Sequence, residues 1–260
     1  YRKALAILKT AIKDTSATLD DRRMLANLNF DIAAQMRALG DTAGAQEWLN
    51  SGRDIFQAVA VELPADTTAQ SDLAKAFWNL ASFDASNNRL DSALGNYQNA
   101  LKIYRNLSET DPANFVHIRN VALTNKYLGG VLQVRGDYDS AIRHFNESLE
   151  IDTANLKRNP NNIAAKLDLS YTFGSLASVQ RTINDFPSAI ENYRAAIKLR
   201  EEVFAADANN KVAEGAVARG YLEVGRTNLQ KGSLEQAEQD FKKALMIYRA
   251  VAAADPQNTL

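Results

Sequence analysis

The side chains that most often carry chemistry are few in this sequence, and their spacing assembles no catalytic set. There is no cysteine, which excludes thiolate catalysis and cysteine-ligated metals. The only two histidines, His117 and His144, have no second histidine at ligand spacing. The acidic pair Asp20 and Asp21 begins a predicted helix, where carboxylates favour the positive end of the helix dipole. We therefore expect no catalytic residue, no metal, no cofactor and no enzymatic activity.

Charge and hydropathy point the same way. Lysine and arginine total 30 and aspartate and glutamate 31, so the net charge of −1 favours neither nucleic acid nor an anionic membrane. No apolar run approaches the roughly 18 residues that a membrane-spanning helix needs. Adjacent Gly129 and Gly130 lack the pattern of a phosphate-binding loop. We expect a cytoplasmic chain, with an envelope-exposed domain of a membrane-anchored protein as the alternative.

Five alanines recur at a constant interval along the chain. They are Ala45, Ala93, Ala141, Ala189 and Ala237, and each lies 48 residues from the next (93−45, 141−93, 189−141 and 237−189). Four residues after each alanine comes leucine, tyrosine or phenylalanine, and twelve residues before it comes alanine or glycine. Five matched copies at an unvarying period predict a repeat protein built from one supersecondary unit.

Turn residues divide each 48-residue unit into two helices. Glycine or asparagine lies five residues before each repeated alanine and supplies the left-handed conformation that ends a helix. The next residue is an N-cap type in four of the five repeats. In the second repeat it is Arg89, with Asp91 as the alternative cap. Proline, then asparagine or aspartate, marks most of the other junctions. The predicted helices are roughly 1–13, 19–39, 42–62, 67–87, 90–110, 115–135, 138–158, 163–183, 186–206, 211–231 and 234–254.

These columns resemble the tetratricopeptide repeat. In the second repeat the pattern is carried by Phe77, Leu80, Ala81, Ala93, Tyr97, Ala100 and Pro112. The resemblance covers essentially the whole chain, but the family's usual period is about 34 residues, so both helices are longer here. It implies an all-α fold, an α-solenoid with a right-handed superhelix of about five helical hairpins and one extra N-terminal helix, about 11 helices in all. Elongated repeats of this kind resemble those appended to bacterial signalling proteins, including serine/threonine kinases, although no kinase motif is present.

The repeat pattern also predicts the domain organisation. We expect a single solenoid over residues 1–260, cut from a longer protein. Residues 1–13 would be the second helix of a truncated repeat, and the five repeats would span 18–64, 66–112, 114–160, 162–208 and 210–256. The end helices of such a segment would be uncovered, which predicts weak self-association through the solenoid ends.

In similar repeats, the first helix of each hairpin lines a concave groove. That face corresponds here to the predicted groove residues Phe30, Arg37, Lys75, Trp78, Asn79, Lys126, Tyr127, Tyr171, Arg181, Arg219 and Arg226. Cations outnumber acids among the mapped positions, so we expect the groove to bind a protein or peptide of acidic character. Solvated helix faces are the alternative interpretation. The carboxylate clamp of chaperone-binding relatives is incomplete, because Gly130 stands where its asparagine would accompany Lys126.

The leading functional hypothesis is a non-enzymatic scaffold module that binds a protein or peptide. The alternative is a ligand- or peptide-sensing regulatory domain of a bacterial signalling protein. A sensor would change its compactness when its ligand binds, whereas a static scaffold would not.

Overall fold

Ten α-helices make up the part of the chain that the computed structural model describes, residues 18–207 and 211–254. They are α1 (Leu19–Ala38), α2 (Thr42–Glu62), α3 (Thr67–Ser86), α4 (Leu90–Thr110), α5 (Phe115–Arg135), α6 (Tyr138–Arg158), α7 (Ile163–Thr182), α8 (Phe186–Ala206), α9 (Lys211–Lys231) and α10 (Leu234–Ala254). The predicted all-α fold of helical hairpins is confirmed. The predicted helix over residues 1–13 lies outside the described residues.

Each hairpin turns at a residue with left-handed backbone geometry. The dihedral φ is positive at Gly40, Asn88, Gly136, Asn184 and Gly232, the five predicted positions. The last turn of α1 is tighter than an ordinary α-helical turn, because the N–H of Leu39 donates to the carbonyls of both Gln35 and Met36, at 3.1 Å in each case. This shared bond ends α1 one residue before the predicted boundary, and α3 and α7 also end one residue early.

Side-chain caps begin several helices as predicted. Asp41, Asp137 and Asp185 accept hydrogen bonds from backbone N–H groups three residues later, at 2.8, 3.1 and 3.4 Å. Helix α4 differs, because its N-cap residue is Arg89 and no side chain caps it. Asp91 lies inside the first turn of α4, so the alternative of a cap by Asp91 is wrong.

The described residues divide into two compact units after Val131, within α5. In the first unit α1 packs against α2, α2 against α3 and α3 against α4, and in the second unit successive helices from α6 to α10 pack in the same way. Packing between sequence neighbours is typical of repeat proteins, since each hairpin buries its apolar face against the next. Ion pairs also join first helices of successive hairpins, as between Arg23 and Asp72 (2.7 Å) in the first unit.

The repeated alanines are buried in all five repeats. Four of the five have no exposed surface, and Ala237 is 2% exposed. In the last hairpin the opposing small residue is Gly225, where an added Cβ would lie 2.6 Å from the ring of Phe241. A larger side chain at these positions would force the helix axes apart or displace the aromatic ring. The constant step of 48 residues therefore reflects a buried position of each repeat at which the packing requires a small residue.

A second contact within the hairpins joins residues that are twelve positions apart across the turn. In three hairpins it is a side-chain hydrogen bond, between Asp84 and Asn96 (3.0 Å), Gln180 and Asn192 (2.8 Å), and Asn228 and Asp240 (2.9 Å). The same positions are held by Met36 with Trp48 and by Leu132 with His144. The polar members include two buried carboxylates, which need partners because desolvation of an unpaired charge is costly.

The buried carboxylate of Asp84 explains why Arg89 occupies the position at which the other repeats have an N-cap residue. Asp84 is 3% exposed, and Arg89 Nη2 lies 2.7 Å from its Oδ1 atom. The guanidinium also covers the ring of Phe83, 5.0 Å from the ring centroid. In this hairpin Arg89 is therefore a counter-ion, and α4 begins without a side-chain cap.

Buried tyrosines make the stability of the fold sensitive to alkaline pH. Burial, and to a smaller degree the charge of Asp72, raises the pKa of Tyr104 to about 12. The unfolded chain ionises near pH 10, so this contribution to stability is complete below about pH 10 and is lost as the pH rises through about 12. We expect the loss at Tyr104 to approach about 2–3 kcal/mol, measured as the fall in the free energy of urea unfolding between about pH 9 and pH 12. Equal falls in the Tyr104→Phe variant and the unsubstituted protein would contradict this assignment.

Apolar side chains are exposed on the last described helix. Leu234 and Met246 are each 66% exposed and Leu245 is 48% exposed. The other predicted end, residues 1–13, lies outside the described residues, and self-association through the ends stays a prediction. No helix within residues 18–207 and 211–254 is long and apolar enough to cross a membrane.

Candidate peptide-binding groove

A pocket of about 230 Å³ opens between α1 and α3 in the first unit. Its lining residues are Asn27, Phe30 and Asp31 of α1, Phe56 of α2, and Asp72, Lys75, Ala76 and Asn79 of α3. Phe30, Lys75 and Asn79 are predicted groove residues, so the structure brings together groove positions from two successive hairpins. The rings of Phe30 and Phe56 stack with centroids 6.1 Å apart and give the pocket an aromatic wall.

The charges around this pocket are mixed rather than positive. Asp31 and Lys75 are both exposed at its edge. Asp72 is held by Arg23, with 2.7 Å between Arg23 Nη2 and Asp72 Oδ2. The pocket in the first unit therefore offers an aromatic surface with one charge of each sign at its mouth, and the positive excess expected from the sequence is absent there.

Three aromatic residues pack together farther along the first unit. Trp78 of α3 meets Tyr127 of α5 edge to face, with centroids 4.9 Å apart, and Tyr97 of α4 stacks on Tyr127 at 5.7 Å. Burial raises the pKa of the Tyr97 phenol, which also hydrogen-bonds to Ser82. Tyr127 is 43% exposed, whereas the buried indole N–H of Trp78 meets no acceptor in the described part of the chain. Tyr127 is thus the accessible member of this cluster, and Trp78 supports it.

The remaining predicted residues of the first unit lie beside these features. Arg37 is exposed on α1 with its guanidinium 5.6 Å from the centroid of the Phe83 ring. Lys126 is half-buried on α5, next to Tyr127 in sequence. The ring contact holds Arg37 against the protein while its charge stays in solvent.

In the second unit, Glu223 of α9 forms ion pairs with two of the predicted groove cations. It lies 2.9 Å from Arg181 of α7 and 2.7 Å from Arg226 of α9. One negative charge therefore offsets part of the positive charge expected here. Tyr171 is 57% exposed on α7, and Arg219 is exposed on α9.

The structure adds a basic residue that the sequence analysis missed. Arg200 belongs to α8, a second helix, yet its guanidinium reaches the first helices on either side. Its Nη1 donates to the carbonyl of Ala216 on α9 (3.2 Å), and its guanidinium carbon lies 5.7 Å from the Tyr171 ring centroid on α7. The sequence signal that could have found Arg200 is the repeat register, since the equivalent positions hold Phe56, Tyr104 and Tyr248 in three other repeats and Asp152 in the remaining one. A charged residue at a mainly aromatic position indicates a different role.

The described residues show no arrangement of ligands for a metal. Within residues 18–207 and 211–254, no group of three or more histidine, aspartate and glutamate side chains is placed to hold an ion. What this surface offers is aromatic rings, guanidinium groups and amides, which suit the recognition of another molecule.

Comparison with known proteins finds tetratricopeptide repeats in two stretches of the chain. Residues 119–202 and 218–251 match family models described as tetratricopeptide repeat. Among solved structures, BtubC (BKLC) from P. vanneervenii is similar over 100% of this chain and 92% of its own, with 16% identity and a TM-score of 0.73. A STAND (Signal Transduction ATPase with Numerous Domains) protein with a tetratricopeptide repeat sensor, from Pyrococcus horikoshii, is similar over 97% of this chain and 40% of its own, with 15% identity and a TM-score of 0.58. No curated protein matches the sequence.

Proposed function

We propose, because this chain belongs to the tetratricopeptide repeat family, that it is a scaffold which binds a peptide segment of a partner protein along the first helices of its hairpins. The observation that carries the proposal is the pocket between α1 and α3, which is lined mainly by first-helix residues of two successive hairpins. A pocket of about 230 Å³ has room for a side chain of a bound peptide rather than for a large cofactor.

The accessible side chains support an extended or helical peptide as the occupant. Exposed tyrosines supply broad contact area at low entropic cost, and Tyr127 and Tyr171 present this chemistry, one in each unit. Exposed Arg37 and Lys75 in the first unit and exposed Arg219 in the second supply positive charge on first helices. We propose a partner segment with acidic residues flanking an apolar anchor, since the pocket of the first unit combines an aromatic wall with the exposed cation Lys75.

A peptide-display selection on the full chain, followed by fluorescence anisotropy, tests the groove. We expect the selected peptide to bind about 10-fold more weakly to the Lys75→Glu variant, because the reversed charge lies at the mouth of the pocket. The matched control is Lys102→Glu, which reverses the same charge at an exposed position on α4, a second helix. Equal affinities of both variants and the unsubstituted protein would remove the groove from the proposal.

Two further readouts separate the acidic character and the mode of action. A counterpart peptide with glutamine for glutamate should bind more weakly, and equal binding would leave the groove but remove the acidic partner.

Small-angle scattering of the saturated complex should show unchanged compactness for a static scaffold. A change in radius of gyration on binding would instead support the regulatory sensor.

A further inference from the structure

The positions that line the pocket of the first unit recur in the second unit with different residues. Three periods of 48 residues separate the first repeat from the fourth, so Phe56 of the pocket wall corresponds to Arg200. By the same step, Asn27 corresponds to Tyr171 and Lys75 to Arg219. The first helices α7 and α9 therefore flank Arg200 as α1 and α3 flank Phe56.

Two glycines face the Arg200 side chain. Gly174 of α7 stands at the position of Phe30, and a Cβ there would lie 3.6 Å from Arg200 Nη2, the one atom outside its own helix backbone that it would meet within 4 Å in the described part of the chain. Gly220 of α9 stands at the position of Ala76, and a Cβ there would lie 2.4 Å from Ile197 Cγ1 and 3.7 Å from Arg200 Nη1. Gly220 is therefore required by Ile197, whereas Gly174 leaves room beside the guanidinium. The absence of larger side chains lets a cation from a second helix reach the groove side.

Arg200 has polar neighbours but no carboxylate among the described residues. Its Nη1 donates to the backbone carbonyl of Ala216 at 3.2 Å, and its Nε donates weakly to Ser170 Oγ at 3.4 Å. No hydrogen bond from its Nη2 to a described residue is formed. Burial lowers the pKa of the Arg200 guanidinium below its ordinary value, and the nearby charge of Arg219 lowers this pKa further. A cation held away from water without a counter-ion is costly, and an anion at Nη2 would offset that cost.

The acids closest in sequence to Arg200 and Arg219 have other partners. Glu202 receives a hydrogen bond from Lys166 at 2.6 Å, and Glu201 receives one from the hydroxyl of Tyr221 at 2.9 Å. Glu223 is bound by Arg181 and Arg226. The positive charges of Arg200 and Arg219 therefore remain to attract a ligand.

We propose that Arg200, together with Arg219 and the exposed ring of Tyr171, forms a subsite that binds a carboxylate of the peptide, an acidic side chain or a chain end. The inference rests on the proposed function and names the chemistry of one anchor within it. The Nη2 edge of a planar guanidinium donates to one carboxylate oxygen, Arg219 adds a second charge, and Tyr171 covers the contact with an aromatic face. The subsite uses a second-helix residue, so it extends the groove beyond the face predicted from first helices.

The first test observes the site directly in the intact protein. In ¹⁵N NMR of arginine side chains, we expect the Nε–Hε signal of Arg200 to shift saturably on titration with sodium acetate, and the Arg200→Phe variant to identify this signal. An Arg200 signal that moves with neither acetate nor inorganic phosphate overturns the subsite. A response to phosphate at lower concentration than to acetate overturns the carboxylate assignment in favour of a phosphate group.

The second test measures peptide affinity. The probe is a fluorescein-labelled peptide of alternating glutamate and serine, read by anisotropy at low salt. Arg200→Phe introduces the residue found at the equivalent position of the first repeat, and we expect it to weaken binding about 10-fold or more. The matched control, Lys198→Gln at an exposed position of the same helix, removes one positive charge and should change affinity less than about 2-fold.

The outcomes separate the subsite from the proposed function. Peptide binding that survives Arg200→Phe in a folded variant, shown by circular dichroism, overturns the subsite and leaves peptide binding by the groove intact. A saturable acetate response at Arg200 without affinity for any selected or acidic peptide supports the carboxylate subsite and removes the peptide-binding function.

Discussion

Replacement of Arg89 by alanine should lower the free energy of unfolding by about 3 kcal/mol, because it leaves the buried carboxylate of Asp84 without its counter-ion. Asn96 still donates to Asp84, but one neutral hydrogen bond does not offset the desolvation of a charge. The ring of Phe83 also loses the guanidinium that covers it. Urea unfolding followed by circular dichroism measures the change, with Lys102→Ala on the same helix as an exposed control that should shift stability by less than about 0.5 kcal/mol.

A second substitution distinguishes loss of the pair from a general intolerance at this turn. The third hairpin holds Leu132 and Asp137 at the positions of Asp84 and Arg89. The double variant Asp84→Leu with Arg89→Asp reproduces that combination, removes the buried charge and restores a capping aspartate. We expect it to recover most of the stability that Arg89→Ala loses. A double variant less stable than Arg89→Ala alone would show that the ion pair is not the reason for the first effect.

Replacement of Ala189 by leucine should destabilise the protein by about 3 kcal/mol, since three added carbons enter a contact that has no free space. Ala189 has no exposed surface and belongs to α8, which packs against α7 through Ala177, Tyr193 and their neighbours. The helices must separate or Tyr193 must leave its position, and either change opens the core of the hairpin.

The control for this prediction lies on the same helix. Ala205 is exposed near the end of α8, so Ala205→Leu adds the same atoms where solvent accommodates them. We expect its urea midpoint to stay close to that of the unsubstituted protein, within about 0.5 kcal/mol in stability. If both leucine variants unfold at the same midpoint, the repeated alanine does not mark a close helix contact.

Most of the local structure could be predicted from the sequence because it depends on interactions between near neighbours. The turn at Asn184 follows from the need for left-handed geometry, and the cap at Asp185 from the unsatisfied N–H groups at a helix start. Both requirements act within a few residues, so the same residue types recur at these positions in most repeats. The cap predicted at Asp91 is wrong because Arg89 binds a carboxylate five residues earlier instead of leaving the helix start to a capping side chain.

The candidate site was less predictable, since its properties depend on the neighbouring hairpin. The first-helix rule placed Phe30, Lys75 and Asn79 around one pocket, but it could not show that Phe56 from α2 completes the wall. Counting charges gave Arg181 and Arg226 as two groove cations. Arg226 lies three residues after Glu223 on α9 and binds it within that helix. Only the proximity of α7 and α9 shows that Arg181 binds the same carboxylate.

The sequence by itself determined the all-α repeat, the 48-residue period, the boundaries of the ten described helices to within a residue and the family resemblance. These follow from short-range backbone and capping requirements together with small residues spaced at a constant interval. The tertiary structure decided which charges cancel, which aromatic rings stay exposed, and that Arg200 reaches the side of the first helices. Burial and electrostatic partners are set by side chains that meet across helices far apart in sequence, and within each unit that meeting exists only after the hairpins have packed.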